Sequence, residues 1–282
     1  NWGVPGGLPA ERDGSCYDNL DNFPRKGVTF GGHLWGKNDD GVPTVYYAFN
    51  NPGVSEQRIQ EAMDYYEKHT CLRFEKIVGF HFGSHVSFSD GDGCSSAIGY
   101  QFQNLFWGQR LSLSSGCSRL NIVIHEIGHA IGLYHEQSRS DRDGYVTIID
   151  ENIPSNKIRN FRKADTLNYN TIYDYFSVMQ YGPLSFSKNG GSTMVANKPE
   201  YHGLLVKERT GMSFMDLLQV NTMYECSEYW LSECQVKNSS CQNLGYFGPD
   251  CVCICPEGTS GDNCETKDME YTDALVKMYL QL

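Results

Sequence analysis

The sequence predicts an α+β domain divided by a cleft, followed by a small module that disulfides hold together. Strand-like and helix-like segments alternate with long irregular stretches over most of the chain. One helix-like segment, residues 122–133, is apolar almost all round and is expected to be buried in the middle of the domain. After Cys226 the apolar residues become sparse, and six cysteines follow between residues 234 and 264. A segment this short cannot bury a sufficient core and needs cross-links.

Composition limits the classes of function. The 282 residues are 40% hydrophobic and 20% charged, which suits a globular core. The formal net charge of −11 argues against a nucleic-acid partner, because nucleic acid requires a basic surface. No stretch is long and apolar enough to span a bilayer, and no basic run favours an anionic membrane. Eleven cysteines predict an oxidising compartment, so we expect a secreted, extracellular protein.

The elements around the central helix can be predicted in chain order. Residues 43–49 and 72–77 are rich in β-branched and aromatic side chains and are predicted to be strands. Between them, Ser55 is predicted to cap a helix with apolar residues at helical spacing, namely Ile59, Met63 and Tyr66. Later, Ser213 followed by Asp216 predicts the capped start of the last helix of the domain.

The stretch HEIGHAIGLYHE, residues 125–136, has the spacing of a metal site. His125 and His129 are four residues apart and lie on one face of a helix, where both imidazoles can bind one ion. Glu126 is offset by one residue, close enough to reach a water at the metal without being a ligand. Gly132 can leave the helix in a left-handed conformation, so the chain can bring His135 back as a third ligand.

Three neutral histidines and a water form the open site that is typical of catalytic zinc, so we predict one catalytic Zn2+ ion. Cobalt, nickel or copper would suit the same nitrogens. The alternative without a metal is a core helix whose histidines are satisfied by hydrogen bonds. That alternative is disfavoured, because the pattern H-E-x-x-H together with the glycine and the third histidine rarely arises by chance.

The pattern H-E-x-x-H-x-x-G-x-x-H resembles the signature of the metzincin metalloproteases. Glu136 directly after the third histidine, followed by QSRSDRDGYV, resembles the astacin family within that clan. A second match, SVMQYG at 177–182, is similar to the astacin Met-turn. The resemblance extends from HLWGKNDDGVPTVYYAF at 33 to MYECS at 223. It implies a two-lobed metzincin catalytic domain over residues 27–228, with the active-site helix at the floor of the cleft.

By this resemblance the protein is expected to be a secreted zinc-dependent endopeptidase that acts on proteins or peptides. Glu126 would be the general base. Tyr181 would lie at or near the metal and stabilise the oxyanion, and Met179 would lie beneath the metal. An upper edge strand would bind the extended substrate, and its residues are Ser95, Ser96, Ala97, Ile98 and Gly99. The alternative is a catalytically silent adhesion or binding module that retains the fold.

The substrate preference stays open at this level. Relatives shape the pocket after the scissile bond with the segment that precedes the last helix, and three basic residues lie there, Lys198, Lys207 and Arg209. One of them would favour an acidic substrate side chain. Equally, all three would be solvated surface charges.

The resemblance also implies the disulfides. In the catalytic part, Cys71 would pair with Cys226 and Cys94 with Cys117. Residues 232–266 are similar to an EGF-like module, self-contained, with the pairings Cys234–Cys251, Cys241–Cys253 and Cys255–Cys264. The alternative is a zinc knuckle. This module would bind an extracellular partner. Asn238 begins a glycosylation sequon, and residues 267–282 form a tail that is predicted to be a short helix.

Residues 1–26 are interpreted as a propeptide remnant, and the alternative is an N-terminal extension. In the astacin family the mature chain begins shortly before the Leu34-Trp35 pair, so the resemblance implies that cleavage between Lys26 and Gly27 releases an ammonium group that is buried against Glu136. A buried Glu136 without a cation would be costly. The family's latency motif F-x-G-D is absent, which leaves Asp13 and Cys16 as candidate residues that block the zinc before cleavage. Cys16 in a disulfide with another chain is the alternative.

Overall fold

The computed structural model describes residues 33–79, 81–104, 107–164 and 166–280. The helices are α1 Glu56–His69, α2 Leu120–Ala130, α3 His202–Val206, α4 Phe214–Met223, α5 Cys226–Glu233 and α6 Tyr271–Tyr279. The strands are β1 Thr44–Asn50, β2 Arg73–Lys76, β3 Val86–Ser89, β4 Cys94–Ser96, β5 Gln109–Leu113, β6 Val146–Ile148, β7 Met194–Ala196, β8 Tyr246–Phe247, β9 Cys253–Ile254, β10 Thr259–Ser260 and β11 Thr266–Lys267. Short 3-10 turns connect many of these elements.

A five-stranded sheet with α1 and α2 forms the first lobe. Its order is β2-β1-β3-β5-β4, and the strands are parallel except for β4, which is antiparallel to β5 at the edge. The Ser55 hydroxyl accepts from the Arg58 amide at 3.2 Å and caps α1 as predicted. Ile59, Met63 and Tyr66 are all fully buried on the face of α1 that packs against the core.

Helix α2 lies between the sheet and a second lobe of short strands and irregular loops. Side chains from distant parts of the chain bind the backbone carbonyls that its last turns leave unpaired. Trp35 Nε1 donates to the Ala130 carbonyl at 2.8 Å, and the Tyr224 hydroxyl donates to the Ile131 carbonyl at 2.9 Å. These contacts fix the end of α2 firmly, and the α+β fold with its two lobes agrees with the sequence prediction.

Five disulfides connect the pairs that the resemblance implies: Cys71–Cys226, Cys94–Cys117, Cys234–Cys251, Cys241–Cys253 and Cys255–Cys264. The first joins the end of α1 to the start of α5 across 155 residues. The second joins β4 to the turn just before α2. Both therefore brace the elements on either side of the central helix.

The segment after α5 packs against the preceding α+β domain, although the sequence indicates a self-contained module. The Tyr246 ring lies 5.5 Å from the Phe214 ring of α4, and the Ser227 hydroxyl donates to the Phe247 carbonyl at 3.1 Å. Tyr271 on α6 is also buried in the same hydrophobic core. The boundaries at 228, 232 and 266 stay predictions, but the parts on either side share apolar contacts. No helix among the described residues could cross a membrane.

Candidate metal centre

The three predicted histidines meet beside α2. The Nε2 atoms of His125 and His129 are each 3.2 Å from Nε2 of His135, and the ligand atoms of all three lie within 4.8 Å of one another. Tetrahedral zinc with Zn–N bonds of about 2.0–2.1 Å places its ligand nitrogens about 3.3 Å apart. The spacing therefore fits a zinc ion held by three imidazoles.

Hydrogen bonds on the far side of two rings determine which nitrogen faces the centre. His125 Nδ1 donates to the Val178 carbonyl at 2.8 Å, and His129 Nδ1 donates to the Leu133 carbonyl at 2.7 Å. Because Nδ1 carries the proton, Nε2 of each neutral ring presents its lone pair to the centre. Burial lowers the pKa of His129 to about 3, and the neighbouring His125 adds to the effect. His129 is therefore neutral at physiological pH, as a metal ligand must be.

Two glycines allow the site to form. Helix α2 ends at Ala130, and Gly132 has a φ of +108°, which lets the chain turn and return His135. Gly128 lies inside the helix, where a Cβ atom would be 3.0 Å from Met179 Sδ and 3.2 Å from the Tyr66 hydroxyl. A side chain at this position would have to move Met179 by a few tenths of an ångström, so the glycine lets Met179 lie directly against the helix that carries the histidines.

The Met-turn is held by a buried carboxylate of α4. Asp216 accepts hydrogen bonds from the Ser177 hydroxyl at 2.6 Å and from the Val178 amide at 2.8 Å. It also accepts from the Ser213 amide at 3.0 Å in the capping box that begins α4. Because the Val178 carbonyl accepts from His125, Asp216 orients a metal-binding ring through one intervening residue.

The two side chains with predicted chemical roles lie within this buried region. Glu126 is 3% exposed on α2, directly after His125. Tyr181 is 2% exposed, and its ring centroid lies 4.4 Å from that of His135. The Tyr181 amide donates to Gln137 Oε1 at 3.2 Å, which links the Met-turn to the segment after the third histidine. A carboxylate and a phenol thus accompany three convergent imidazoles.

Residues 34–225 match the model of the astacin peptidase family. The chain belongs to the astacin family. Protein SpAN of Strongylocentrotus purpuratus is 39% identical over 215 residues, which are 73% of this chain and 34% of that protein. Zinc metalloproteinase nas-34 of Caenorhabditis elegans is 36% identical over 234 residues, 79% of this chain and 36% of that protein. The chain spans about a third of the length of these relatives.

Among solved structures, high choriolytic enzyme 1, a hatching enzyme zinc-protease from Oryzias latipes, is similar with a TM-score of 0.61 and 35% identity. The likeness covers 68% of this chain and 94% of that one. The chain therefore contains an astacin-family metalloendopeptidase domain. Residues 226–282 follow the range that the family model matches.

In this astacin domain, Glu136 has a cation partner. Its Oε1 atom lies 3.2 Å from Arg139 Nη1 and accepts from the Asp174 amide at 2.9 Å, and all three residues are buried. Arg139 is therefore a cation beside Glu136, but its guanidinium also donates from Nε and Nη2 to Asp141 at 2.9 Å each. The pairing of the Gly27 amine with Glu136 stays a prediction. The predicted pairing partner and latency residues lie outside the described residues, namely Gly27, Asp13 and Cys16.

The predicted substrate-binding edge lies on the last strand of the sheet. Ser95 and Ser96 belong to β4, and Ala97, Ile98 and Gly99 follow it. The Gly99 amide donates to the His129 carbonyl at 2.8 Å, which joins this segment to the metal helix. Gly99 has a φ of +68°, and a Cβ atom there would lie 2.5 Å from the His33 carbonyl oxygen. The segment thus lies beside α2, the helix that carries His125 and His129.

The basic residues proposed to set substrate preference have partners elsewhere. Arg209 donates from Nη2 to the Tyr175 carbonyl at 2.9 Å. The exposed Lys198 ammonium lies 3.4 Å from the Tyr201 hydroxyl, and the exposed Lys207 ammonium lies 6.0 Å from the Tyr279 ring centroid. Arg209 therefore supports the backbone just before the Met-turn. Asn238 is exposed, as a glycosylation site must be.

The sequence does not identify three of the residues that support the site. Gly128 gives one signal, because a glycine inside a helix costs about 1 kcal/mol relative to alanine and points to close packing. Arg139 contacts Thr171 across 32 residues, and Asp216 contacts Ser177 across 39 residues. No local pattern indicates such partners.

Proposed function

We propose that the protein is a secreted zinc-dependent endopeptidase that hydrolyses peptide bonds in proteins. The observation that carries this proposal is the convergence of three buried Nε2 atoms, two of them from rings whose other nitrogen donates to a backbone carbonyl. His125, His129 and His135 would hold the ion. Zinc, when bound there, would polarise the scissile carbonyl and make a water acidic enough to lose its proton near pH 7.

The chain's own residues would carry out the remaining chemistry. The Glu126 carboxylate accepts the proton of the attacking water and then delivers it to the nitrogen of the leaving amine. The Tyr181 hydroxyl donates a hydrogen bond to the oxygen that becomes negatively charged in the transition state. The substrate backbone pairs with the outer side of β4 as an additional strand, which presents the scissile bond beside His129.

Activation and localisation are part of the same proposal. Cleavage between Lys26 and Gly27 would free an ammonium group that joins the buried Glu136–Arg139 pair, with Cys16 or Asp13 as the group that blocks zinc beforehand. Five disulfides support an extracellular location. The EGF-like segment, which contains the exposed Asn238, would bind a macromolecular partner.

Glu126→Gln separates catalysis from mere metal binding. Glu151→Gln is the matched control, because Glu151 is exposed and undergoes the same chemical change. All three proteins should contain one zinc per chain, but Glu126→Gln should hydrolyse a peptide roughly 10²–10⁴-fold more slowly than the wild type and the control. Bound zinc with no Glu126-dependent hydrolysis would instead support a silent adhesion module.

A further inference from the structure

The C-terminal helix α6 packs on the catalytic domain although it follows the range matched by the family model. Tyr271 and Leu275 are 5% and 1% exposed, whereas Met278 on the same helix is 56% exposed. Met278 lies towards the end of α6, and the exposed Asp273 and Lys277 lie on the side of the helix opposite Tyr271 and Leu275. Helix α6 contacts the domain at two places that lead to the site.

The first contact is an aromatic stack on the residue before the Met-turn. The Tyr279 and Phe176 ring centroids are 4.6 Å apart, and the ring planes are inclined by 26°. The Arg209 guanidinium lies 5.9 Å from the Phe176 ring centroid and donates to the neighbouring Tyr175 carbonyl. Phe176 is thus held by the α6 ring and by a cation. It precedes Val178, the acceptor for His125, by only two residues.

The second contact is with α3 and the 3-10 turn Pro199–Tyr201 directly before it, in the segment before the last helix of the domain. The Tyr201 hydroxyl donates to Asp273 Oδ1 of α6 at 2.7 Å. A Cβ atom on Gly203 would lie 2.7 Å from Leu280 Cδ1, so α3 and the end of α6 approach closely. Helix α6 therefore links α3 to the loop that enters the Met-turn.

We propose that Tyr279 is a positioning residue for the reaction: α6 acts as an intramolecular clamp that holds Phe176, and through it the Met-turn with Tyr181. This inference rests on the proposed endopeptidase function. Asp216 holds the Met-turn from the side of α4 and Tyr279 holds its entrance from the side of α6. A segment beyond the family domain thereby sets the rate of turnover.

The consequence for kinetics follows from which contacts remain without the Tyr279 ring. His125 and His129 keep their contacts with the Val178 and Leu133 carbonyls, so zinc should stay bound. The edge strand β4 lies on the other lobe, so substrate binding should change little. At its entrance the Met-turn would lose the aromatic stack and keep only the Arg209 contacts, so the Tyr181 phenol would be less well placed for the transition state.

The test compares Tyr279→Ala, Tyr279→Phe and the exposed control Met278→Ala in the full, zinc-loaded chain with one quenched-fluorescence peptide. For Tyr279→Ala, kcat should fall about tenfold, which is the upper range that one aromatic pair can supply. Its KM and zinc content should stay within about twofold of the wild type. Tyr279→Phe keeps the stacked ring and should restore kcat, and Met278→Ala should match the wild type.

A purely structural role gives a different result. If Tyr279→Ala lowers the melting temperature but keeps kcat when folded, the clamp is refuted. If Tyr279→Ala does not fold, Tyr279→Leu carries the same expectation, because it keeps apolar volume without an aromatic face. If the proposed endopeptidase function itself is wrong, the wild type will show no hydrolysis that depends on Glu126, and this result differs from every outcome expected for the Tyr279 variants.

Discussion

Replacing Asp216 by alanine should weaken both the fold and the metal site. The carboxylate accepts from the Ser177 hydroxyl at 2.6 Å, the Val178 amide at 2.8 Å and the Ser213 amide at 3.0 Å. Alanine leaves these three buried donors without acceptors, at about 1–3 kcal/mol each. Removing a buried charge offsets part of this loss, since burial raises the pKa of Asp216 and so disfavours its ionised form. We expect a net loss of about 3–5 kcal/mol in the free energy of unfolding.

The effect should reach the metal, because Val178 orients His125. Loss of a group that orients a ligand from outside the metal shell weakens metal affinity about 10–100-fold. Urea unfolding of the zinc-loaded protein and competition with a fluorescent zinc chelator measure the two quantities. Asp216→Asn is the control, because its side-chain amide oxygen can still accept from the Val178 and Ser213 amides. Its free energy of unfolding should fall by only about 1 kcal/mol. Equal zinc affinity in the alanine variant and the wild type would refute the reasoning.

Three further changes test separate parts of the structure. The variant Tyr181→Phe should fold and bind zinc, but its kcat should be about 10²-fold lower with little change in KM, because only the hydrogen bond to the oxyanion is removed. An unchanged kcat in steady-state kinetics would contradict this role. Burial, with the nearby Asp216 charge, raises the pKa of Asp174 to about 8, above its unfolded value, so the native state loses stability as pH rises from about 4 to 8. Asp174→Asn should flatten that dependence in urea unfolding at pH 5 and pH 8, and an unchanged slope would count against the assignment. Replacing Cys71 and Cys226 together by alanine removes a cross-link that spans 155 residues, and in the chain-entropy model this should lower the free energy of unfolding by about 5 kcal/mol. Thermal unfolding under oxidising conditions measures the loss, and a melting temperature equal to that of the wild type would exclude such a contribution.

The local parts of the fold can be predicted because their causes lie close together in sequence. Ser55 and Ser213 precede the helices that they cap, and His125, His129 and Gly132 are within eight positions of one another. Such patterns depend only on the geometry of a single helical turn. They can therefore be recognised without knowledge of the tertiary structure.

The supports of the site depend on contacts that sequence spacing does not reveal. The sequence predicts Asp216 as part of a helix cap, but its hydrogen bonds to the Met-turn form only because α4 packs beside that loop. Arg139 contacts Glu136 and Asp141 together, and its contact with Thr171 depends on a loop 32 residues away. Tyr279 stacks on Phe176, which lies about a hundred residues earlier in the chain. From composition alone, the C-terminal segment is predicted to be independent of the domain.

X-ray absorption at the zinc edge is the most direct test of the three-histidine site, because it reports the atoms around the metal in the intact protein. We expect one zinc per chain with three imidazole nitrogens at about 2.0–2.1 Å and a first shell completed by oxygen. In the variant His135→Ala the imidazole contribution should fall to two. A shell dominated by sulfur, or a spectrum that His135→Ala leaves unchanged, would show that the metal lies elsewhere and would contradict the account.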